Sequence, residues 1–401
     1  MYLIPAHIIL TFGYAVLLYF PVLVRSLGYS VALVGVFLAI AEGAGLLGPF
    51  LMSRLADKHG RYKLAIILSF FLMALPALPL ALFVHPVLSA IFVAIIAIGS
   101  RSATPLVEAI TTISVGESGD YGKIRVTGSI AFACFALFMQ WVPVLRPESS
   151  WNIGIWICIS SIFSMMVIAL LPIKSTRAET PRETSQETSQ EASQEASQEG
   201  SKDAPNRINK KSIWTPLFIL GLVFIGLNRL AMAPAYSFLP LFVIEYMHWD
   251  AVGLLWALAC AAEIPFLYIS SRIIRRFGAM PILAFTSVMV ALRLALYAIF
   301  PLKAGVIVAQ LLHSFCFGLF HPAAVAFISR CVPTEQRSFG MTLYLSLGAA
   351  APLMLGNFIG GFIVDYAGYR FLFGSFTVFA LLSLAVYFAG RLKYGSAGEW
   401  K

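Results

Sequence analysis

Apolar runs of about twenty residues recur from one end of this 401-residue chain to the other, separated by short polar stretches. A helix needs roughly that length to cross a hydrocarbon core of ~30 Å, so the recurrence confines the chain to a multi-pass membrane protein. Inside lipid every backbone amide must find an internal partner, which leaves helices or a closed barrel. The runs do not alternate polar and apolar residues as barrel strands do, and a barrel is excluded. Helical spans are expected at 4–24, 31–53, 64–84, 87–112, 123–142, 152–172, 213–243, 251–271, 281–300, 304–329, 339–364 and 369–390. Only 12% of the residues are charged, about half the share in a soluble domain.

The net charge of +9 invites a nucleic-acid reading, and its distribution removes it. With both termini cytoplasmic, twenty-one of the twenty-eight Lys and Arg residues fall on the cytoplasmic side, in segments such as Arg54–Lys63 and Arg272–Arg276. Arg25, Arg146, Lys303 and Arg370 fall on the other side. This is the positive-inside bias of membrane topology. The expected location is a bacterial cytoplasmic (inner) membrane, with lipid and no nucleic acid as a partner. The first run starts directly after Met1 without a small-residue cleavage site and reads as a retained span. The five cysteines have no metal-ligand spacing and read as small core residues.

One segment differs from all others. From Ser175 to Lys211 no apolar run occurs, and Glu179, Glu183, Glu187, Glu191, Glu195 and Glu199 repeat every fourth residue. Like charges at that spacing repel on a helix, so a largely disordered linker is expected. It divides the chain into a six-helix half at 1–173, a cytoplasmic linker at 174–211 and a second six-helix half at 212–401. The halves echo each other: "SRLADKHGRYK" (Ser53–Lys63) follows the second span, and "SRIIRRFGAMP" (Ser271–Pro281) follows the eighth. Two repeats of this kind with a site between them is a layout of secondary transporters.

The loop "RLADKHGRYK" resembles the signature G-x-L-A-D-R-x-G-R-[KR] of the major facilitator superfamily. Leu55, Ala56, Asp57, Gly60, Arg61 and Lys63 fit, and the first Gly is replaced by Arg54 or Ser53. Arg54, Asp57, Gly60 and Arg61 are the candidate gating motif, with Asp57 and Arg61 placed to pair with each other or with neighbouring helix ends. "YFPVLVRSLGYS" (Tyr19–Ser30), "YGKIRVTGSIAF" (Tyr121–Phe132) and "QLLHSFCFGLFHPAAVAFI" (Gln310–Ile328) are similar to the proton-linked branch that holds the lactose permease, nucleoside symporters and phenylpropionate-permease-like proteins. The resemblance implies an all-α membrane fold of twelve helices in two pseudo-symmetric six-helix halves.

Ionisable residues inside the spans are functional candidates by default, because each is costly in lipid. Glu42 lies about fifteen residues from Asp57, or ~22 Å deep along a helix, and is a candidate proton carrier. Arg101 and Glu108 stand seven apart and share a face of the fourth span. The resemblance to the lactose permease implies a substrate pair of Glu108 with Arg125, and Arg101 has no counterpart there. Asn228 and Arg229 of the seventh span are candidate substrate residues, with Glu263 of the eighth as a possible partner for Arg229 and, like Glu108 and His313, a candidate proton site beside Glu42. Arg293 and His313, twenty apart, match a proton-coupling arginine and histidine of that permease, while Cys316 stands where it has a glutamate. Arg293 is expected to face the central cavity. His321 falls on roughly the same helix face as His313. Tyr14 and Tyr236 are candidate cavity aromatics, beside Phe12, Tyr19 and Phe238.

The expected protein is a monomeric secondary transporter that moves a small organic solute with protons by alternating access, powered by the proton gradient and needing no cofactor. An aromatic or other carboxylate leads as cargo. The rivals are a proton-driven efflux antiporter for drugs or metabolites and a nucleoside or sugar proton symporter. A sensor or membrane-embedded enzyme has no support, since no nucleotide loop, metal cluster or Ser-His-Asp arrangement occurs.

Overall fold

The computed structural model describes residues 2–115, 121–142, 150–173, 213–333 and 336–394. The expected linker at 174–211 lies outside them, as do the side chains of several residues at the start of the fifth helix, Arg125 among them. The spans are α1 (Leu3–Ser26), α2 (Val31–Lys58), α3 (Tyr62–Leu82), α4 (Pro86–Thr112), α5 (Tyr121–Trp141), α6 (Ser150–Leu170), α7 (Pro216–Tyr246), α8 (Val252–Phe277), α9 (Ala279–Ile299) and α10 (Lys303–Cys331). A last continuous stretch, Phe339–Tyr394, is broken at Gly368, whose φ of 81° and ψ of 173° are not helical. Its arms, 339–367 and 369–394, are α11 and α12, which completes the twelve expected spans.

Large apolar residues cover the outside, Leu75, Leu170 and Leu392 among them, while Phe70, Phe224 and Phe320 are fully buried between helices. That inversion of a soluble surface is what a hydrocarbon solvent selects. Two boundaries differ from the expected ones. The basic stretches after the second and eighth spans were expected to be loops from residues 53 and 271, yet α2 and α8 continue to Lys58 and Phe277. Each stops where Gly60 or Gly278 takes a positive φ, 62° and 86°, which a residue without Cβ adopts freely. Three helices contain a widened π-type turn: Phe242–Tyr246 in α7, Ser314–Leu319 in α10 and Tyr344–Ala350 in α11. Such turns concentrate at functional sites.

The two halves, α1–α6 and α7–α12, meet firmly at one face of the bundle. This is the face opposite the Arg54–Lys63 motif. There Arg25 Nε donates to Glu245 Oε1 at 2.6 Å, and Tyr369 donates its hydroxyl to Glu245 Oε2 at 2.7 Å. Asp365 of α11 accepts from the backbone amides of Val31 and Ala32, at 3.1 and 2.9 Å, and so caps the N-terminus of a helix in the other half. Below it Gly35 and Gly361 bring α2 and α11 into backbone contact. On the other flank Gln140 of α5 donates to Asp250 O at 2.7 Å and accepts from the Leu254 amide at 3.3 Å. These contacts roof an interior space that lies between the halves.

Candidate functional site

Under that roof is a cavity of about 290 Å³ lined from both halves. From α1, α4 and α5 come His7, Thr11, Tyr14, Thr104, Glu108, Ser129 and Phe132. From α7, α8 and α10 come Tyr236, Trp256, Cys260, Glu263, His313 and Phe317. The volume is at the small end of ligand sites, which run from about 300 to 1,000 Å³. Its walls combine flat rings with a few polar groups. Tyr236 stacks on Trp256 with centroids 6.5 Å apart, and both rings meet His313 edge-on at 6.0 Å. Among the described residues that line it there is no Lys or Arg.

Arg293 was expected to face this cavity, and it does not. Its side chain is wholly buried among α7, α9 and α10. Nε donates to the Tyr297 hydroxyl at 3.2 Å, one terminal nitrogen donates to Gln310 Oε1, and the other donates to His313 Nδ1 at 3.0 Å. Helix geometry explains the outcome: Tyr297 lies four residues from Arg293, and Gln310 lies three before His313, so α9 and α10 each offer two polar groups on one face. A guanidinium has no acceptor atom. His313 Nδ1 must therefore accept, the imidazole proton sits on Nε2, and that N–H points toward Glu263 Oε2 at 3.6 Å. This exceeds hydrogen-bond length and sets the two groups facing each other at the cavity wall.

Glu263 thus faces His313, and the expected pairing of Glu263 with Arg229 does not form. Arg229 is buried, donates to the Tyr236 hydroxyl at 3.2 Å, and lies over the Phe320 ring at 4.4 Å. Cation–π contacts to Phe320 and Phe317 occupy the space a carboxylate would need. Asn228, a candidate substrate residue, points away from the cavity into the second half, donating to Ser287 Oγ at 2.8 Å, which also accepts from Ser383. His321 shares a face with His313, as expected, with the Phe317 ring stacked between them at 5.9 and 6.1 Å. Its Nδ1 is 2.9 Å from the Tyr344 hydroxyl, so it belongs to the α10–α11 junction and not to the cavity wall.

In the first half, Glu42 forms an ion pair with Arg101 across α2 and α4. Arg101 therefore does not compete for Glu108, which lines the cavity two turns further along the same face of α4. Arg125 lies outside the described side chains, so its expected pairing with Glu108 is not part of the described geometry. In the motif, Asp57 accepts from the Tyr62 hydroxyl at 2.5 Å in place of pairing with Arg61. The turn at Gly60 makes this possible, since it brings the first residue of α3 back against the last turn of α2. Arg54 rests on the Phe50 ring at 4.9 Å. Tyr14 and Tyr236 line the cavity as expected. Phe12 instead packs against Phe135 and Phe163, Tyr19 accepts from the Gly253 amide at 3.2 Å, and Phe238 is fully buried.

Sequence reasoning missed His7, Thr11, Trp256 and Gln310. His7 sits 2.9 Å from Thr111 Oγ1 and borders the cavity. A histidine in the first apolar run, and a glutamine one turn before a histidine already singled out, were available signals.

A family model described as the MFS_1 like family matches residues 9–375. The maltose permease of Geobacillus stearothermophilus is 24% identical over 292 residues, covering 71% of this chain and 66% of that one. The probable 3-phenylpropionic acid transporter of Escherichia coli strain K12 is 27% identical over 139 residues, 35% of each chain. The alignments thus span about two thirds and about one third of these relatives. Among solved structures, the nucleoside transporter NupG in its D323A form superposes with a TM-score of 0.75 at 16% identity, covering 96% of this chain and 99% of that one. At that identity the likeness is one of fold.

Proposed function

Since the chain belongs to the MFS_1-like family of membrane transporters, we propose that it carries a small ring-bearing organic solute together with a proton. One observation carries this reading: aromatic walls and the Glu263–His313 pair border the same cavity between the halves. The rings of Tyr236, Trp256, Phe132 and Phe317 favour a flat or cyclic solute. Glu263 is the proton acceptor in this reading. Arg293 holds the His313 tautomer, His313 presents its N–H to Glu263, and solute polar groups compete for the same carboxylate. Loading a proton on Glu263 releases that N–H to the solute, which couples the two cargoes.

The positive-inside pattern supports an orientation with the Arg54–Lys63 motif in the cytoplasm. The Arg25–Glu245–Tyr369 face is then external and closed. Alternating access requires this face to part while the cytoplasmic ends close, in the rocking motion that two-repeat transporters use.

The test uses proteoliposomes with labelled xylose, uridine, benzoate and 3-phenylpropionate, under an inward proton gradient and then without one. One solute should accumulate against its gradient. Glu263→Gln should keep exchange of that solute across equal concentrations yet lose accumulation. Accumulation by Glu263→Gln equal to the native protein would remove Glu263 from the proton path. Expulsion of solute along the opposing gradient would replace import with efflux.

A further inference from the structure

Resting on the transporter reading above, we infer that Arg101 is an anion subsite at the edge of the central cavity, so that the solute it serves is an organic carboxylate. Among the described arginines far from the span ends, Arg229 and Arg293 are buried behind rings and neutral acceptors. Arg101 differs. Its side chain is 55% exposed although it lies at mid-span in α4.

Helix geometry turns that exposure toward the space between the halves. Thr104 and Glu108 line the cavity, and Arg101 precedes them by three and seven residues, which places all three on one face of α4. The partner helix gives the same direction. Glu42 follows Gly35 by seven residues on α2, two turns along one face, and Gly35 packs against Gly361 of the other half. Both helices therefore turn the Arg101–Glu42 pair into the space beneath the α2–α11 seam. Thr104 is one turn away, a rise of ~4.5 Å.

The guanidinium is held but not saturated. Its stem lies across Gly45, where a Cβ would meet Arg101 Cγ at 2.8 Å, so the glycine makes room for the arm. One terminal nitrogen is joined to Glu42 Oε1, and among the described residues this is the one ion pair Arg101 makes. A guanidinium has five N–H donors in a planar fork. The donors left over face an open space, where a carboxylate is the complementary group. The neutral ring of such a solute reaches the aromatic cavity that begins at Thr104. Glu42 is the resident counter-ion, which keeps the arginine extended when no solute is bound.

The experiment reads Arg101 directly, independently of transport. Purified full-length protein is treated with the arginine reagent phenylglyoxal, and modification at Arg101 is quantified by peptide mass spectrometry, with benzoate, acetate or succinate present, or benzamide as the neutral isostere of benzoate. Arg101 should be modified, at least one acid should slow the modification tenfold or more, and benzamide should not. Glu42→Gln should speed modification and strengthen acid protection several-fold. In the proteoliposome assay, Arg101→Ala should lower affinity for a transported acid about ten- to hundredfold, the loss expected for one charge-assisted hydrogen bond, with Arg101→Lys between. An unmodified Arg101, or one that no acid protects, overturns the anion subsite. Transport of xylose or uridine with no acid protection would leave the transporter reading standing and remove this one. Acid protection without transport of any probe would do the reverse.

Discussion

Gly361→Ala is the sharpest perturbation of the closed face. A Cβ built at Gly361 would lie 2.7 Å from Val31 O, 2.9 Å from Ala32 O and 2.9 Å from Gly35 Cα. Every one of these is a backbone atom of α2, so no rotamer change relieves the clash. Ordinary contact begins near 3.4 Å, and the helices must part by about 0.7 Å. Overpacking of this kind costs about 1–3 kcal/mol. The strain exists only while α2 and α11 are together, because they belong to different halves. It therefore shifts the balance between closed and open forms by about five- to 150-fold and leaves each half intact. Spin labels on cysteines introduced at Ser26 and Tyr366, with exposed Cys134 replaced by Ser, report the separation by pulsed electron resonance. The variant should populate a longer distance than the parent. Gly374→Ala is the control, since its Cβ would find Ala298 at an ordinary 3.7 Å. An unchanged distance distribution in Gly361→Ala, with a lowered melting temperature, would show that the strain is absorbed within one half and refute the reasoning.

Two further outcomes follow from the same geometry. Asp365→Ala removes the acceptor that one half lends to the Val31 and Ala32 amides, while Ser30 still accepts from the Leu33 amide at 3.2 Å. Helix α2 should persist and the closed form should weaken by about 0.5–2 kcal/mol, read as a longer label distance; no change would make the borrowed cap redundant. Arg293→Ala leaves His313 Nδ1 without its donor in a buried site, at about 1–3 kcal/mol, while Gln310 Oε1 keeps the Tyr297 hydroxyl at 3.3 Å. The variant should have a melting temperature below that of Arg101→Ala. Equal melting of the two variants would mean that Arg293 is not a structural centre of the second half.

The twelve spans were legible because lipid imposes one rule on every one of them, a length of apolar helix, and that rule is written locally. The misplaced boundaries show its limit. Arg54, Asp57 and Lys58 look like loop residues by polarity, yet the chain remains helical until Gly60 permits a turn. The site was legible as a set of residue types and not as a set of partners. Glu263, His313, Arg293, Arg101, Glu42 and Glu108 were all identified, but the pairings of Glu42 with Arg101 and of Glu263 with His313 were not. Spacing along one helix states which residues share a face. It does not state how α2 rotates against α4, and that rotation is what gives Arg101 to Glu42. Likewise the placing of the α10 rings Phe317 and Phe320 against Arg229 comes from tertiary packing, which no one-dimensional pattern carries.

The contrast between Arg293 and Arg101 decides what each can do. Both carry a full charge at mid-span, where a charge is retained only if something in the protein stabilises it. Arg293 is stabilised by neutral acceptors on two helices and is shut off from solvent, so a solute could reach it only by breaking three contacts in the second half. Its effect on the cavity is indirect: it dictates the tautomer of His313, and through His313 the face that Glu263 meets. Arg101 is stabilised by one carboxylate across a glycine and remains open on the cavity side. In the proposed anion subsite a solute carboxylate uses the donors that Glu42 leaves over, and no contact of the fold has to break. In the proposed transport cycle the buried arginine therefore orients His313, and the exposed one is a cation offered to a solute.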